Sequence, residues 1–361
     1  MEIKRDGYTV HLGEPILHVD NESRKRSGHM SHAMAEFAPG KIIAFNSNCT
    51  PLIDGGHSTF GFIEYKISED GGESFSDPRL FPYSIEQFLG GIHTVSVEKA
   101  VACDNGRIVA FCLLNDAHKL CPPWIDPPVC VMSDDGGETW SEAKKAFSYC
   151  GRIYDAIYYK GVIYVVQFCN DATVDFVGNK PEHVYRIYAS YSMGESFEEL
   201  CVVPTDSKGR AYASIIFDSH EQMHLYVYNV NAEHDPDHLV SEDFGKTFKS
   251  AGTCHLAKGS RNIQTALIDG IFVLHCRGEE INRNKFPLYT SLDGYTWDEG
   301  EFIDSTDCGT CFYSNNLLLK DKDGKERLLI QYSHSYYNEL HKHYSKCTNE
   351  RHMWLTVKHY K

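Results

Sequence analysis

The chain has 361 residues, of which 42% are hydrophobic and 24% are charged, and its formal net charge is -15 at pH 7. This apolar content suffices for a packed core, and the acidic balance argues against nucleic acids and anionic membranes as partners. The first residues contain no apolar leader, and no segment approaches the ~20 apolar residues of a membrane-spanning helix.

A short motif occurs five times along the chain, at residues 68–75, 133–140, 190–197, 241–248 and 291–297. Its second copy reads Ser-Asp-Asp-Gly-Gly-Glu-Thr-Trp; Ser192 replaces the aspartate in the third copy, and the last copy is one residue shorter. Ser and Asp side chains accept hydrogen bonds from turn N–H groups, and glycine supplies positive φ, so each copy predicts a tight hairpin. Its spacing of 50 to 65 residues is typical of propellers and solenoids.

Pairs of short apolar segments, each joined by a polar turn, lie between the motifs. The six turns are Pro39-Gly40, Asn105-Gly106, Lys160-Gly161, His220-Glu221, Asp269-Gly270 and Asp323-Gly324. The segments are rich in β-branched and aromatic residues, as strands are. Since five of these hairpins lead into the motif, we predict an all-β fold: a single six-bladed β-propeller domain over residues 1–361.

Closure of this ring needs a sixth blade, which has no copy of the motif. We predict that the segment around Trp354 supplies one outer strand and the N-terminal segment around Tyr8 another. A seven-bladed ring is the alternative.

The inner strands of a propeller begin near its axis, so their first residues are candidates to line a central cavity. Reading these starts in order gives His29, His32, His93, Glu98, Arg152, Tyr154, Asp155, Arg210, Tyr212, Arg261 and Tyr313. Arginine binds carboxylates through two parallel hydrogen bonds. Because three consecutive blades offer an arginine, we predict a site for an anionic ligand; the alternative is that each arginine pairs with an acidic residue of its own blade.

The repeated motif resembles the Asp box of the sialidases (neuraminidases). The resemblance implies an exo-glycoside hydrolase for an anionic sugar such as sialic acid, with arginines holding the carboxylate and a tyrosine as nucleophile. It implies Tyr313 as nucleophile, Asp54 as acid/base and Arg283 as a carboxylate ligand. From their positions at the inner-strand starts, we hypothesise that Glu98 is the base of Tyr313 and that Arg152, Arg210 and Arg261 also bind the carboxylate. The family's Phe/Tyr-Arg-Ile-Pro motif is missing, and residues 28–32 stand in its place.

Histidines on the first two blades leave a second function open. His29, His32, His57 and His93 fall at inner-strand starts or in the adjoining loop, and histidine transfers protons near neutral pH. The chain could therefore be a uronate-directed lyase or hydrolase that uses histidine and tyrosine. A non-catalytic glycan-binding propeller is the third alternative.

Cysteine spacing bears on metals and location. The 13 cysteines form no paired sets with zinc-ligand spacing. We therefore expect reduced thiols, a cytoplasmic location, and neither a metal nor another cofactor. The expected partner is an anionic oligosaccharide substrate; the sugar, its linkage and the oligomeric state are left open.

Overall fold

The computed structural model of the chain describes residues 1–51, 60–91, 93–116, 126–170, 177–278, 284–307, 311–337 and 347–360. Its strands form six antiparallel sheets, which are the blades of a β-propeller. The inner strands contact one another in chain order around the axis, and the last contacts the first. The predicted six-bladed ring is thus confirmed, and the seven-bladed alternative is wrong.

The first five blades have four strands each. From the axis outward, blade 1 contains β4 (Met34–Ala38), β5 (Lys41–Cys49), β6 (Gly61–Ser68) and β7 (Arg79–Leu80). Blade 2 contains β8 (His93–Ala102), β9 (Ile108–Asp116), β10 (Val129–Ser133) and β11 (Lys144–Lys145). Blade 3 contains β12 (Gly151–Tyr159), β13 (Val162–Cys169), β14 (Val184–Ser190) and β15 (Glu198–Val202). Blades 4 and 5 contain β16 (Arg210–Phe217), β17 (Met223–Asn229), β18 (Asp237–Ser241) and β19 (Lys249–Thr253); β20 (Arg261–Ile268), β21 (Ile271–Arg277), β22 (Lys285–Ser291) and β23 (Glu301–Ser305).

Blade 6 joins the two ends of the chain. It contains β24 (Ser314–Lys320), β25 (Glu326–Ser335), β26 (Thr348–His359), β2 (Tyr8–Leu12) and β1 (Glu2–Arg5), and β3 (Ile16–Val19) also pairs with β26. Tyr8 lies opposite His359, and Leu12 lies opposite Leu355. The N-terminal segment therefore closes the ring as predicted.

Two short helices complete the described secondary structure, α1 (Asn21–Arg24) and α2 (Pro82–Leu89). Within the described ranges, neither has the length and apolar character to cross a membrane.

Each repeated motif forms the turn between the third and fourth strands of its blade. In the second copy, the N–H of Gly137 donates to the Ser133 hydroxyl at 2.8 Å, and the N–H of Thr139 donates to the Asp135 carboxylate at 2.9 Å. In the third copy the Ser192 hydroxyl accepts the equivalent bond at 3.0 Å, from the N–H of Ser196. A serine can therefore replace the aspartate because the turn needs only one oxygen acceptor at this position.

The aromatic residue that closes the motif packs against the preceding blade. The Trp140 ring lies edge-on to Phe45, Tyr65 and Phe81, with centroids 4.9 to 5.9 Å apart. The Tyr65 hydroxyl donates to the carbonyl oxygen of Gly137 at 2.6 Å. The contacts between the motif of one blade and the core of the preceding blade thus join neighbouring blades and hold the inner strands in a fixed ring.

Buried histidines make the stability of this fold depend on pH. Burial lowers the pKa of His238, His275 and His352 to about 3. Their folded-state pKa lies below the unfolded value of about 6.5, so the stability they contribute is complete above that value and is lost as the pH falls. Between pH 7.5 and 5.5, the free energy of unfolding of the wild type should therefore fall by about 1 kcal/mol more than that of His275→Gln.

Urea unfolding at the two pH values measures this difference. Glu350 acts in the opposite sense, since burial raises its pKa to about 7, but it is common to both proteins and cancels in the comparison. Equal loss of stability in wild type and His275→Gln would contradict the assignment of His275 as a neutral buried group.

Candidate active site

β-Bulges shape the inner strands at the end where the candidate residues lie. Blades 2 to 5 each have an irregular register there, between Val97 and Lys99, Ile153 and Asp155, Arg210 and Ala213, and Arg261 and Gln264. A bulge inserts an unpaired residue and redirects its side chain, and bulges are frequent beside active sites. Glu98, Tyr154, Tyr212 and Asn262 lie within these bulges and line a common cavity of about 60 Å³.

Tyr313, immediately before β24, also lines this cavity and is surrounded by cationic and aromatic groups. The guanidinium carbon of Arg277 lies 4.8 Å from the centre of the Tyr313 ring. The ring of His29 contacts it edge-on, with centroids 4.5 Å apart. The hydroxyl oxygens of Tyr313 and Tyr212 are 3.5 Å apart. Blades 4, 5 and 6 and the segment before blade 1 therefore converge on this phenol.

The surrounding arginines change the acidity of Tyr313. Burial raises the pKa of its phenol, but the positive charges of Arg277 and Arg261 outweigh this effect, so the pKa lies below its ordinary value of 10. The pKa of Tyr212 is raised by burial and by the neighbouring Tyr313. One phenol of the pair is therefore favoured as the phenolate, and the other is favoured as the hydrogen-bond donor.

Arg152 and Glu98 form a buried ion pair on the opposite wall. Nε and Nη2 of Arg152 both donate to Oε2 of Glu98, at 2.9 and 2.6 Å, and each side chain is only 5% exposed. The Arg152 guanidinium lies 5.7 Å from the centre of the Tyr154 ring. The carboxylate predicted as base for Tyr313 is thus engaged by arginine.

Arg261 and Arg277 are paired across the two inner strands of blade 5. The Arg261 guanidinium lies 5.7 Å from the ring centre of Tyr212. Arg277 is 2% exposed, and its Nε and Nη1 atoms have no hydrogen-bond partner among the described residues. Buried guanidinium groups normally have acceptors, so Arg277 is suited to an anionic ligand.

Lys99 separates this cavity from a second one of about 340 Å³ along the axis. Both cavities are lined by Lys99, Gln264 and Asn315. The ammonium group donates to the side-chain oxygens of Gln264 and Asn315 and lies 3.0 Å from Asp155. Asp155 also accepts a hydrogen bond from the Ser214 hydroxyl at 2.7 Å. It lies beside Lys99 at the boundary between the two cavities and lines the second cavity rather than the first.

Four further predicted residues do not line the cavity in the described structure: His29 and Arg261, which lie against the rings of Tyr313 and Tyr212, and Arg210 and His93. The Arg210 guanidinium makes two hydrogen bonds to Asp237, at 2.8 and 3.1 Å, as in the alternative in which an arginine pairs within its own blade. His93, the first residue of β8, is half-buried and does not contribute to the wall. Asp54, His57 and Arg283 lie outside the described residues.

Arg277 was missed by the sequence analysis, which considered only the starts of the inner strands. Antiparallel pairing places the last residue of a second strand beside the first residue of its neighbour, as it places Arg277 opposite Arg261. The signal was therefore present: an arginine at the end of the apolar run Ile271–Arg277.

Comparison with known proteins finds the Asp-box repeat in the sequence and a similar propeller fold in solved structures. The BNR/Asp-box repeat model matches residues 131–142. A Dyadobacter fermentans protein of unknown function has a TM-score of 0.69 at 14% identity, over 97% of this chain and 99% of that one. No curated protein matches the chain by sequence.

The propeller is also that of sialidases. The Hadza microbial sialidase Hz136 has a TM-score of 0.66 at 12% identity, over 96% of this chain and 68% of its own. Trypanosoma rangeli sialidase, in its covalent intermediate with 2,3-difluorosialic acid, has a TM-score of 0.62 at 12% identity, over 95% of this chain and 58% of its own. At these identities the likeness establishes the sialidase-like propeller fold.

Proposed function

We propose that the chain is a glycoside hydrolase of the sialidase type, which removes a terminal anionic sugar such as sialic acid from an oligosaccharide. The observation that carries this proposal is the position of Tyr313, a buried phenol with lowered pKa next to the guanidinium groups of Arg277 and Arg261. The sialidase-like fold supports it.

The proposed roles follow from charge. Arg152, Arg261 and Arg277 hold the sugar carboxylate, and Arg277 has two buried N–H groups available for it among the described contacts. Glu98 fixes the orientation of Arg152 through their paired hydrogen bonds. The guanidinium groups of Arg277 and Arg261 offset both the negative charge of the sugar carboxylate and the charge on the Tyr313 oxygen, so this phenol can attack beside an anionic substituent.

The proposed reaction has two displacements. The Tyr313 oxygen bonds to the anomeric carbon as the glycosidic C–O bond breaks, and the departing oxygen receives a proton from an acid, for which Asp54 is proposed. Water then attacks the anomeric carbon and gives one proton to the carboxylate of that acid, as the bond to the Tyr313 oxygen breaks; the free sugar leaves and Tyr313 returns as the phenolate. Tyr212 donates a hydrogen bond to the Tyr313 oxygen before attack and again as it leaves.

Hydrolysis of a fluorogenic α-sialoside between pH 5 and 8 tests the proposal. We expect release of the fluorophore from the sialoside and none from the matching neutral β-glucoside, which lacks the carboxylate. Absence of release from the sialoside at every pH would contradict the proposed activity.

A uronate-directed enzyme is the second candidate, favoured by one observation. The His29 ring contacts Tyr313, and His32 lines the same cavity, so an imidazole and a phenol are available for proton transfer. A lyase of this kind would form an unsaturated product that absorbs in the near ultraviolet. Incubation with uronate oligosaccharides distinguishes the two candidates directly.

A further inference from the structure

Behind the cavity wall lies a buried carboxylate that the proposed reaction does not use. Glu350, on β26, is 0% exposed, and its Oε2 atom lies 3.5 Å from Nδ1 of His32, which is 3% exposed. His32 itself lines the cavity. The two side chains thus connect the substrate cavity to the interior of blade 6.

Both ring nitrogens of His32 face oxygen atoms. Nε2 lies 3.3 Å from the carbonyl oxygen of His29, and Nδ1 faces the Glu350 carboxyl group. A carbonyl oxygen can only accept, so Nε2 must carry a hydrogen. The contact to Glu350 then needs one more proton, located on Nδ1 or on the carboxyl group.

The surroundings of Glu350 are closed and incompletely satisfied. Its Oε2 atom accepts from Nε2 of Gln331 at 3.0 Å, whereas Oε1 has no hydrogen-bond partner among the described residues. A Cβ atom at Gly28 would lie only 2.6 Å from Oε1, so the backbone there covers this oxygen. A bare carboxylate in such a place is costly, which favours a bound proton.

Other titratable groups near the pair come from β3, β6, β26 and α1. They are His18, Glu64, Lys66, His352 and Arg24. Burial lowers the pKa of both His18 and His352, so they are neutral at pH 7, and Arg24 engages Glu64 at 2.7 and 2.8 Å. Lys66 remains as a nearby cation. Burial raises the pKa of Glu350 to about 7, and the interactions with His32 and Lys66 act in the opposite direction.

We propose that Glu350 and His32 share one proton and thereby set the charge of the cavity wall. With the proton bound, the pair is neutral; once it is lost, the pair carries one negative charge beside the cavity. Glu350 is a positioning residue that acts through His32. The anionic ligand in this inference rests on the proposed function, and its affinity falls as the proton leaves.

Histidine NMR of the ligand-free protein tests the shared proton without any activity. The His32 signal is assigned by its loss in His32→Gln. In the wild type we expect the chemical shift of this signal to change as Glu350 loses its proton, near pH 7. In Glu350→Gln, which keeps the shape but cannot carry the negative charge, we expect this change near pH 7 to be absent. The matched control Glu36→Gln, on β4, should leave it unchanged.

Ligand binding supplies the second readout, measured in a Tyr313→Phe background that removes both turnover and the phenolate charge. We expect the Kd of N-acetylneuraminic acid to rise about tenfold from pH 6 to 8.5 and to stay nearly constant in Tyr313→Phe/Glu350→Gln. An identical rise in both variants, or a change of the His32 signal near pH 7 that persists in Glu350→Gln, would overturn the inference. Failure of the sugar to bind at any pH would contradict the proposed substrate instead, and the NMR titration would still decide the shared proton.

Discussion

Tyr313→Phe is expected to abolish turnover of an α-sialoside, with kcat reduced by at least about 10³-fold. The substitution removes one oxygen atom and leaves a ring of the same shape beside Arg277 and His29. Substrate affinity should change little, because the arginines that hold the carboxylate are untouched. Steady-state kinetics and equilibrium binding, measured on the same preparation, separate the two quantities.

Tyr332→Phe is the matched control. Tyr332 is fully buried on β25, and its hydroxyl donates to Asp304 at 2.6 Å, away from the cavity. Loss of this bond should lower stability by about 1 kcal/mol and leave kcat unchanged. If Tyr313→Phe retained more than a tenth of wild-type kcat, Tyr313 would not be the nucleophile.

Arg277→Gln is expected to raise KM for the sialoside by about 100-fold, because a charge-assisted pair of hydrogen bonds to the carboxylate is lost. It should also raise the pKa of Tyr313, since the Arg277 charge is a cause of its lowered value. The pKa of Tyr313 in Arg277→Gln is measured by following phenolate absorbance during an alkaline titration. The absorbance of the double variant Arg277→Gln/Tyr313→Phe is subtracted, so that only the signal of Tyr313 remains.

Arg186→Gln is the control for Arg277. Arg186 lies on the third strand of blade 3, pairs with Glu199 at 2.6 Å and stacks on Tyr149, so it is remote from the cavity. Its KM should remain within about twofold of the wild type. Equal effects of the two substitutions would show that the change at Arg277 acts through net charge rather than through contact with the ligand.

The fold was predictable because its signals are local. Each Asp box forms its own turn from side-chain oxygens that lie three or four residues before their N–H donors, as Ser133 and Asp135 show. Five copies at similar spacing then determine the blade count once the strands between them are recognised. Even the closure through Tyr8 and Trp354 followed, because the blade without a motif lacked outer strands.

The site was predicted only in part because its geometry depends on bulges and on strand ends. A single inserted residue decides whether Tyr154 or Asp155 lines the cavity with Tyr313, and the sequence gives no sign of which one it is. Arg210 was expected at the cavity with Arg152 and Arg261, but an aspartate on β18 binds it. That contact joins residues 27 positions apart and depends on blade register, which residue spacing did not reveal.

Glu350 illustrates a second limit. It lies 318 positions after His32 in the sequence, and only closure of the ring brings the last blade against the segment before the first. No motif marks Glu350, and a lone glutamate in a strand would be expected to face solvent rather than the interior. Functional contacts made by ring closure are therefore the ones that local patterns cannot supply.

Covalent trapping gives the sharpest test of whether Tyr313 attacks an anionic sugar held by arginines. The protein is incubated with 2,3-difluorosialic acid, the compound present in the covalent intermediate of the Trypanosoma rangeli sialidase, and digested for peptide mass spectrometry. The predicted result is one sugar adduct on Tyr313, absent from Tyr313→Phe. An unmodified Tyr313 in a preparation that hydrolyses the sialoside, or an adduct on another residue, would contradict it.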